Sequence, residues 1–198
     1  MPTRSQLQHT GWFPTWLVLD RDGTLIRDEH YLSEVAQVQL LPQTLKGLRC
    51  FQERGCRFVV VTNQSGVGRG YFDVQQVKAV HTHLQRVFQS EGIDVADYFF
   101  CPHKPADGCS CRKPGIALFQ EAAARHEIVP RDCIVVGDKG SDIEMGQSVS
   151  AKTALVMTGH GRESLSENNC SPDYVANDLY ELYTLLADGQ DHRTGRTR

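Results

Sequence analysis

A doubly wound α/β fold, a parallel sheet covered by helices on both faces, is the architecture this sequence predicts. Three observations predict it. Short apolar runs alternate with segments of helical periodicity along most of the chain, which is the pattern of successive βαβ units. One run, Trp16-Leu17-Val18-Leu19, passes straight into Asp20-Arg21-Asp22-Gly23-Thr24. An unbroken apolar strand ending in acids and a glycine reads as a buried parallel strand that delivers carboxylates to the sheet edge where α/β proteins bind ligands. Finally, 198 residues suffice for one good core and are too few for two large domains.

The elements follow in order. Residues 16–19 form the first strand, with Trp12 and Trp16 packing its start. Residues 44–54 carry Leu45, Leu48 and Phe51 at helical spacing, and Gly55 stops them. Residues 57–62 are the next strand. A helix over 73–89 is capped by Asp73 and buries Val77, Val80, Leu84, Val87 and Phe88. A short strand is expected at 98–100. Pro114 opens a helix over 114–125 that carries Ile116, Leu118 and Phe119. Strands at 133–136 and 153–156 flank a helix at 141–147, and a helix at 178–186, capped by Asp178, closes the fold. Residues 1–187 make one domain. Residues 188–198, with no apolar residue after Ala187, are expected to be a disordered tail.

Composition excludes several classes. Hydrophobic content of 40% and charged content of 23% are ordinary for a globular chain. A net charge of -3 gives no nucleic-acid footprint. No apolar run approaches the ~18 residues of a membrane span, and residues 1–14 lack the apolar core of a signal peptide. Seven cysteines are an odd count, and three of them crowd one histidine. That pattern fits a metal site in a reducing cytoplasm better than a disulfide scaffold. The expected partner is a small molecule, and the expected state is a monomer.

Two segments carry the chemistry. Asp20 and Asp22 are close enough to repel, so one is proton-shifted or the pair shares a cation. The arrangement suits a carboxylate nucleophile beside a proton-transfer acid, with a divalent metal between protein and phosphate. The second segment, 101–111, reads Cys101-x-His103-x5-Cys109-x-Cys111. Three thiolates and an imidazole make a closed tetrahedral set for structural Zn²⁺. The loop runs directly into Arg112-Lys113, so the metal is expected to aim those two cations at the substrate phosphate. Gly66-Val67-Gly68-Arg69-Gly70 does not fit a dinucleotide loop and reads as a turn whose amides approach the sugar phosphate. The histidines outside the zinc loop and residue 30, His81 among them, read as surface or cap residues.

Asp20-Arg21-Asp22-Gly23-Thr24 resembles the first motif of the haloacid dehalogenase-like (HAD) phosphohydrolases. Val59-Val60-Val61-Thr62-Asn63 resembles the second, Arg112-Lys113-Pro114 the third and Ile134-Val135-Val136-Gly137-Asp138 the fourth. The cysteine loop, with Thr62-Asn63-Gln64-Ser65-Gly66, is similar to the subgroup of histidinol phosphatases and heptose-bisphosphate phosphatases. Residues 28–34, 62–72 and 137–139 lean toward the heptose side.

The resemblance implies a HAD-like Rossmannoid fold with a small flap at 25–40, a zinc loop and no large cap. It implies an Mg²⁺-dependent phosphatase in heptose synthesis that removes the 7-phosphate of heptose 1,7-bisphosphate; histidinol phosphate is the rival substrate. Asp20 would be the nucleophile and Asp22 the general acid and base. Thr62 and Asn63 would contact phosphoryl oxygens, and Lys113 would neutralise the transferring phosphate. Asp20, Asp138 and the backbone carbonyl of Asp22 would hold Mg²⁺. Arg69 and Arg112 are candidate phosphate ligands, with His30 and Tyr31 touching the sugar from the flap. Asp142 would orient Lys139, join the metal shell or cap its helix. A catalytically inactive, zinc-stabilised binding protein is the alternative of another class.

Overall fold

The computed structural model describes residues 12–29, 31–166 and 170–189. They form one six-stranded sheet with helices on both faces. The strands are β1 (Trp16–Leu19), β2 (Arg57–Asn63), β3 (Val95–Cys101), β4 (Cys133–Gly137), β5 (Lys152–Val156) and β6 (Tyr174–Ala176). Their spatial order is β3-β2-β1-β4-β5-β6, and every pairing is parallel. The chain winds outward from β1 to β3, then crosses back to place β4 on the other side of β1. That reversal is the topological switch point at which doubly wound sheets bind ligands.

Side-chain alternation along the central strands builds two cores. Leu17, Leu19, Phe58 and Val60 face one side, where α1 (Thr44–Glu53), α2 (Val74–Ser90) and α6 (Leu179–Ala187) supply Leu48, Phe51, Leu84, Phe88 and Leu182. Trp16, Val18, Val59 and Val61 face the other, against Leu118, Phe119 and Ala122 of α3 (Ala117–His126) and Met145 of α4 (Gly140–Ser148). A strand buried on both faces carries no polar alternation, which is why these runs read as continuous apolar stretches. Asp73 caps α2 by accepting from the Gln76 amide, and Asp178 caps α6 by accepting from Tyr180 and Glu181.

Several expectations are corrected. The strand at 98–100 extends over Val95–Cys101, because pairing with β2 holds residues that alone have no strand signature. The helix expected from Pro114 begins at Ala117, after a turn in which the Gly115 amide reaches the Arg112 carbonyl. A short helix α5 (Gly161–Ser166) and the edge strand β6 had no periodicity to find. The 25–40 flap is tied by one antiparallel bridge, Ile26 to Leu40, and contains a 3-10 turn at Val35–Gln37. Trp16 is buried in the second core and Trp12 donates to the Arg131 carbonyl, so both secure the start of the sheet. Residue 30 and the tail from 190 onward lie outside the described residues. Among the described residues, no helix is long and apolar enough to cross a membrane.

Candidate active site

The carboxyl ends of β1, β2 and β4 meet at one cleft of about 370 Å³, whose floor includes Asp20, Asp22, Thr62, Lys113 and Asp142. Asp20 follows β1 directly, and its amide continues the ladder to the Val136 carbonyl at 2.9 Å. Lys113 enters from the loop after the cysteines and is buried to 4% exposure. Its Nζ lies 2.6 Å from Asp20 Oδ1, 2.6 Å from Asp142 Oδ1 and 2.7 Å from the Val61 carbonyl. Burial lowers the Lys113 pKa, but Asp142 and Asp20 outweigh it and the net direction is upward. The ammonium therefore stays charged.

Asp20, Asp138 and Asp142 offer carboxylate oxygens that all lie within 4.8 Å of one another. Burial, reinforced by Asp20, pushes Asp138 up to about 7, while Lys139 pulls it back. Burial and Asp20 push Asp142 to about 6 against the opposing pull of Lys113. Asp138 Oδ2 accepts from the His160 amide at 2.8 Å, whereas Oδ1 is buried without a partner. An orphaned carboxylate oxygen beside two more acids fits a hard divalent cation. The backbone presses closely here. A Cβ on Gly23 would sit 2.1 Å from Asp138 Oδ2, and one on Gly159 would sit 2.2 Å from the same atom.

The sequence leaves Asp142 open between three roles. It caps α4, because Oδ2 accepts from the Lys139 amide at 3.1 Å, and its other oxygen pairs with Lys113. The Lys139 ammonium pairs instead with Asp28 of the flap at 3.0 Å. A capping carboxylate at N3 is visible in sequence; its second contact, 29 residues away in the chain, is not.

Asp22 is held from two sides. Arg21, at 1% exposure, places Nε and Nη2 within 2.9–3.2 Å of both carboxylate oxygens. Gln64 Nε2 donates to Asp22 Oδ2 at 2.7 Å and to Thr62 Oγ1 at 2.9 Å. Neither Arg21 nor Gln64 was singled out from the sequence. A charged residue between two acids and an amide after a strand are too common to mark a site.

Other expected ligands are placed differently. Asn63 spends its side chain on the Lys113 backbone, donating to the carbonyl at 3.2 Å and accepting from the amide at 3.0 Å. It positions the lysine, and Asn63 also lines the cleft. Arg69 is exposed and outside the cleft lining, whereas Arg112 and Tyr31 line it. In the turn Gly66–Gly70 the amides from Val67 to Gly70 are donated to carbonyls, mostly within their own loop, and Gly66 is the residue of the turn that lines the cleft. His81 is buried rather than on the surface. It stacks on Tyr98 at 5.0 Å, and burial, with Arg21 nearby, lowers its pKa to about 3.

The cysteine loop forms a second cluster beside this cleft. Cys101, His103, Cys109 and Cys111 turn their ligand atoms within 4.8 Å of one another. His103 Nδ1 is 3.2 Å from Cys111 Sγ, and the three sulfurs lie 3.2–3.6 Å apart. Burial raises Cys101 to about 12 with Cys111 adding to it. In Cys109, hydrogen bonds from Cys111 and from the Arg112 and Cys111 amides outweigh desolvation and bring it to about 7. Three thiols and an imidazole converging this closely fit a metal held by three sulfurs and one nitrogen.

Comparisons with known proteins agree with this geometry. A HAD-hydrolase-like family model matches residues 110–182. The chain is 30% identical over 177 residues to the D-glycero-alpha-D-manno-heptose-1,7-bisphosphate 7-phosphatase of Photorhabdus laumondii, covering 85% of this chain and 94% of the relative. It is 32% identical over 171 residues to the beta-anomer 7-phosphatase of Pseudomonas aeruginosa, covering 86% and 96%. The solved structure of D,D-heptose 1,7-bisphosphate phosphatase from B. bronchiseptica, complexed with magnesium and phosphate, superposes with a TM-score of 0.82. That match has 30% identity and covers 88% of this chain and 98% of the other. With the fold, the carboxylate cleft and these likenesses in agreement, the chain belongs to the HAD-like hydrolases, alongside the heptose-1,7-bisphosphate 7-phosphatases.

Proposed function

We propose that the protein is an Mg²⁺-dependent phosphatase that removes the 7-phosphate of D-glycero-D-manno-heptose 1,7-bisphosphate through an aspartyl-phosphate. The reaction belongs in heptose synthesis for cell-surface carbohydrate. The observation that carries this reading is the meeting of Asp20, Asp138 and Asp142 with buried Lys113 at the switch point. A pure binding module has no need of a nucleophile, a proton-transfer acid and a charge-neutralising lysine together, which disfavours the inactive alternative.

The residues divide the work as follows. Asp20 attacks phosphorus as the ester P–O bond breaks, and the departing oxygen takes the electron pair and a proton from Asp22. Water then attacks the phosphoryl-Asp20, giving its proton to Asp22 and restoring the carboxylate. Lys113 holds positive charge against Asp20 and the transferring phosphoryl oxygens, and Thr62 offers a hydroxyl to them. Mg²⁺, held by Asp20, Asp138 and the Asp22 carbonyl with Asp142 adjacent, would neutralise phosphoryl charge. Zn²⁺ at Cys101, His103, Cys109 and Cys111 would serve structure alone, because four protein ligands leave no open position.

Arg112 at the cleft rim suits the second phosphate, through its fork of donors. Relatives named for both anomers occur, so the assay includes both. Phosphate release is measured from the alpha and beta heptose bisphosphates, histidinol phosphate and fructose 1,6-bisphosphate. A higher kcat/KM for histidinol phosphate than for either heptose bisphosphate overturns the substrate. Removing Arg112 is expected to weaken the bisphosphates more than the monophosphate.

A further inference from the structure

We infer that Gln64 is a positioning residue that sets the proton-transfer carboxylate and a phosphate-contacting hydroxyl at the same time. The inference rests on the roles proposed above for Asp22 and Thr62. Gln64 is 4% exposed, and its Nε2 lies between Asp22 Oδ2 and Thr62 Oγ1. Nε2 donates to Asp22 Oδ2, so the amide turns its nitrogen, not its oxygen, toward the carboxyl, and the acid's proton is left to the other oxygen. Both amide hydrogens are then used, one on each partner. Thr62 Oγ1 accepts one of them, so the threonine's own hydrogen points away from Gln64. Thr62 lines the cleft, which leaves that hydrogen available to a phosphoryl oxygen.

The main chain that carries this side chain is itself fixed. The Gln64 backbone N–H donates to the Cys101 carbonyl at 2.7 Å, extending the β2–β3 ladder beyond Asn63. On the far side of Asp22, Arg21 grips both carboxylate oxygens. Asp22 therefore cannot swing without breaking contacts to two buried groups. A misplacement of about 1 Å at a proton-transfer group costs on the order of 10²-fold in rate.

A sugar alkoxide needs a proton to leave, whereas p-nitrophenolate leaves without one. A residue that positions the acid therefore matters more for the alkyl ester, and one that merely supports the fold slows both alike. The Mg²⁺-loaded protein is compared with Gln64→Met, which keeps the volume and loses both donors, and with Gln64→Glu, which sets a second carboxylate against Asp22. First-turnover rates are measured by rapid quench with heptose 1,7-bisphosphate and with p-nitrophenyl phosphate, with Asp22→Ala as the reference for loss of the acid. Melting temperatures are recorded in parallel. The alkyl-to-aryl rate ratio is expected to fall by roughly 10–100-fold in both Gln64 variants, with kcat changing more than KM. An unchanged ratio in both variants, whether rates fall together or not at all, overturns the inference. A wild-type protein that turns over neither ester overturns the phosphatase reading instead, and this inference with it.

Discussion

Lys113→Met removes the one buried ammonium that the Asp20 and Asp142 carboxylates both contact at 2.6 Å. Breaking a buried pair by deleting one partner costs about 3–5 kcal/mol, because the remaining charge is left uncompensated. For a chain of this size each kcal/mol moves the melting temperature by roughly 2–4 °C, so the metal-free variant should melt about 6–20 °C lower. The loss should depend on pH in a defined direction. Asp138 and Asp142 are already raised, to about 7 and about 6. A carboxyl raised in the folded state costs nothing below its unfolded value, where both states are protonated. It becomes a liability as pH climbs from the unfolded value of about 3.9 through the folded one. Removing Lys113 raises Asp142 further, so the deficit should be small at pH 5 and large at pH 8. Added Mg²⁺ should recover part of it at pH 8, by supplying the missing positive charge. Circular dichroism melts at both pH values, with chelator and with Mg²⁺, test this. A deficit of the same size at pH 5 and pH 8 would refute the charge-balance reasoning and leave only lost packing.

Three further outcomes are expected. Asp20→Asn should abolish turnover and the binding of aluminium fluoride, read by calorimetry, while its circular dichroism spectrum stays that of the wild-type fold; measurable turnover would remove Asp20 from the nucleophile role. Elemental analysis of protein purified without chelators should find one zinc per chain, and stripping it should lower the melting temperature and speed hydrogen exchange in 101–113; protein without zinc would sink that site. Mg²⁺ affinity, read by calorimetry, should weaken as pH falls from 8 to 6, approaching about tenfold per unit below the Asp138 value, since a bound cation requires the deprotonated acid; a flat profile would contradict it.

The fold was legible because the core strands advertise themselves. Trp16–Leu19 and Cys133–Gly137 are apolar on both faces, and Asp73 and Asp178 mark helix starts by a local hydrogen bond. What escaped depends on partners distant in the chain. Val95–Ala96-Asp97 becomes strand only against β2, and the three-residue β6 only against β5. The same division holds in the cleft. Asp20, Asp22, Thr62 and Asp138 stand in short motifs at strand ends, and Lys113 in a short motif that follows the cysteine loop. Asp142 as the lysine's second partner, Asn63 strapped to the Lys113 backbone and Gln64 between Asp22 and Thr62 exist only once the loops close over one another. Buried His81 was misread for the same reason: its ring is covered by Tyr98 and Phe100 of a strand the sequence barely signals.

The closeness of Gly23 and Gly159 to Asp138 bears on how tolerance to mutation would map onto this protein. Neither glycine has a reactive atom, yet both hold a positive φ, and a methyl on either would occupy the space of the Asp138 carboxylate. In a saturation scan scored by growth, both positions should reject every substitution, alanine included, as completely as the acid they surround. Gly55 and Gly92 share the positive φ but meet nothing within 4 Å, so they should tolerate asparagine. Two glycines with the same backbone signature would thus separate cleanly, by whether a carboxylate fills the place of their missing side chain.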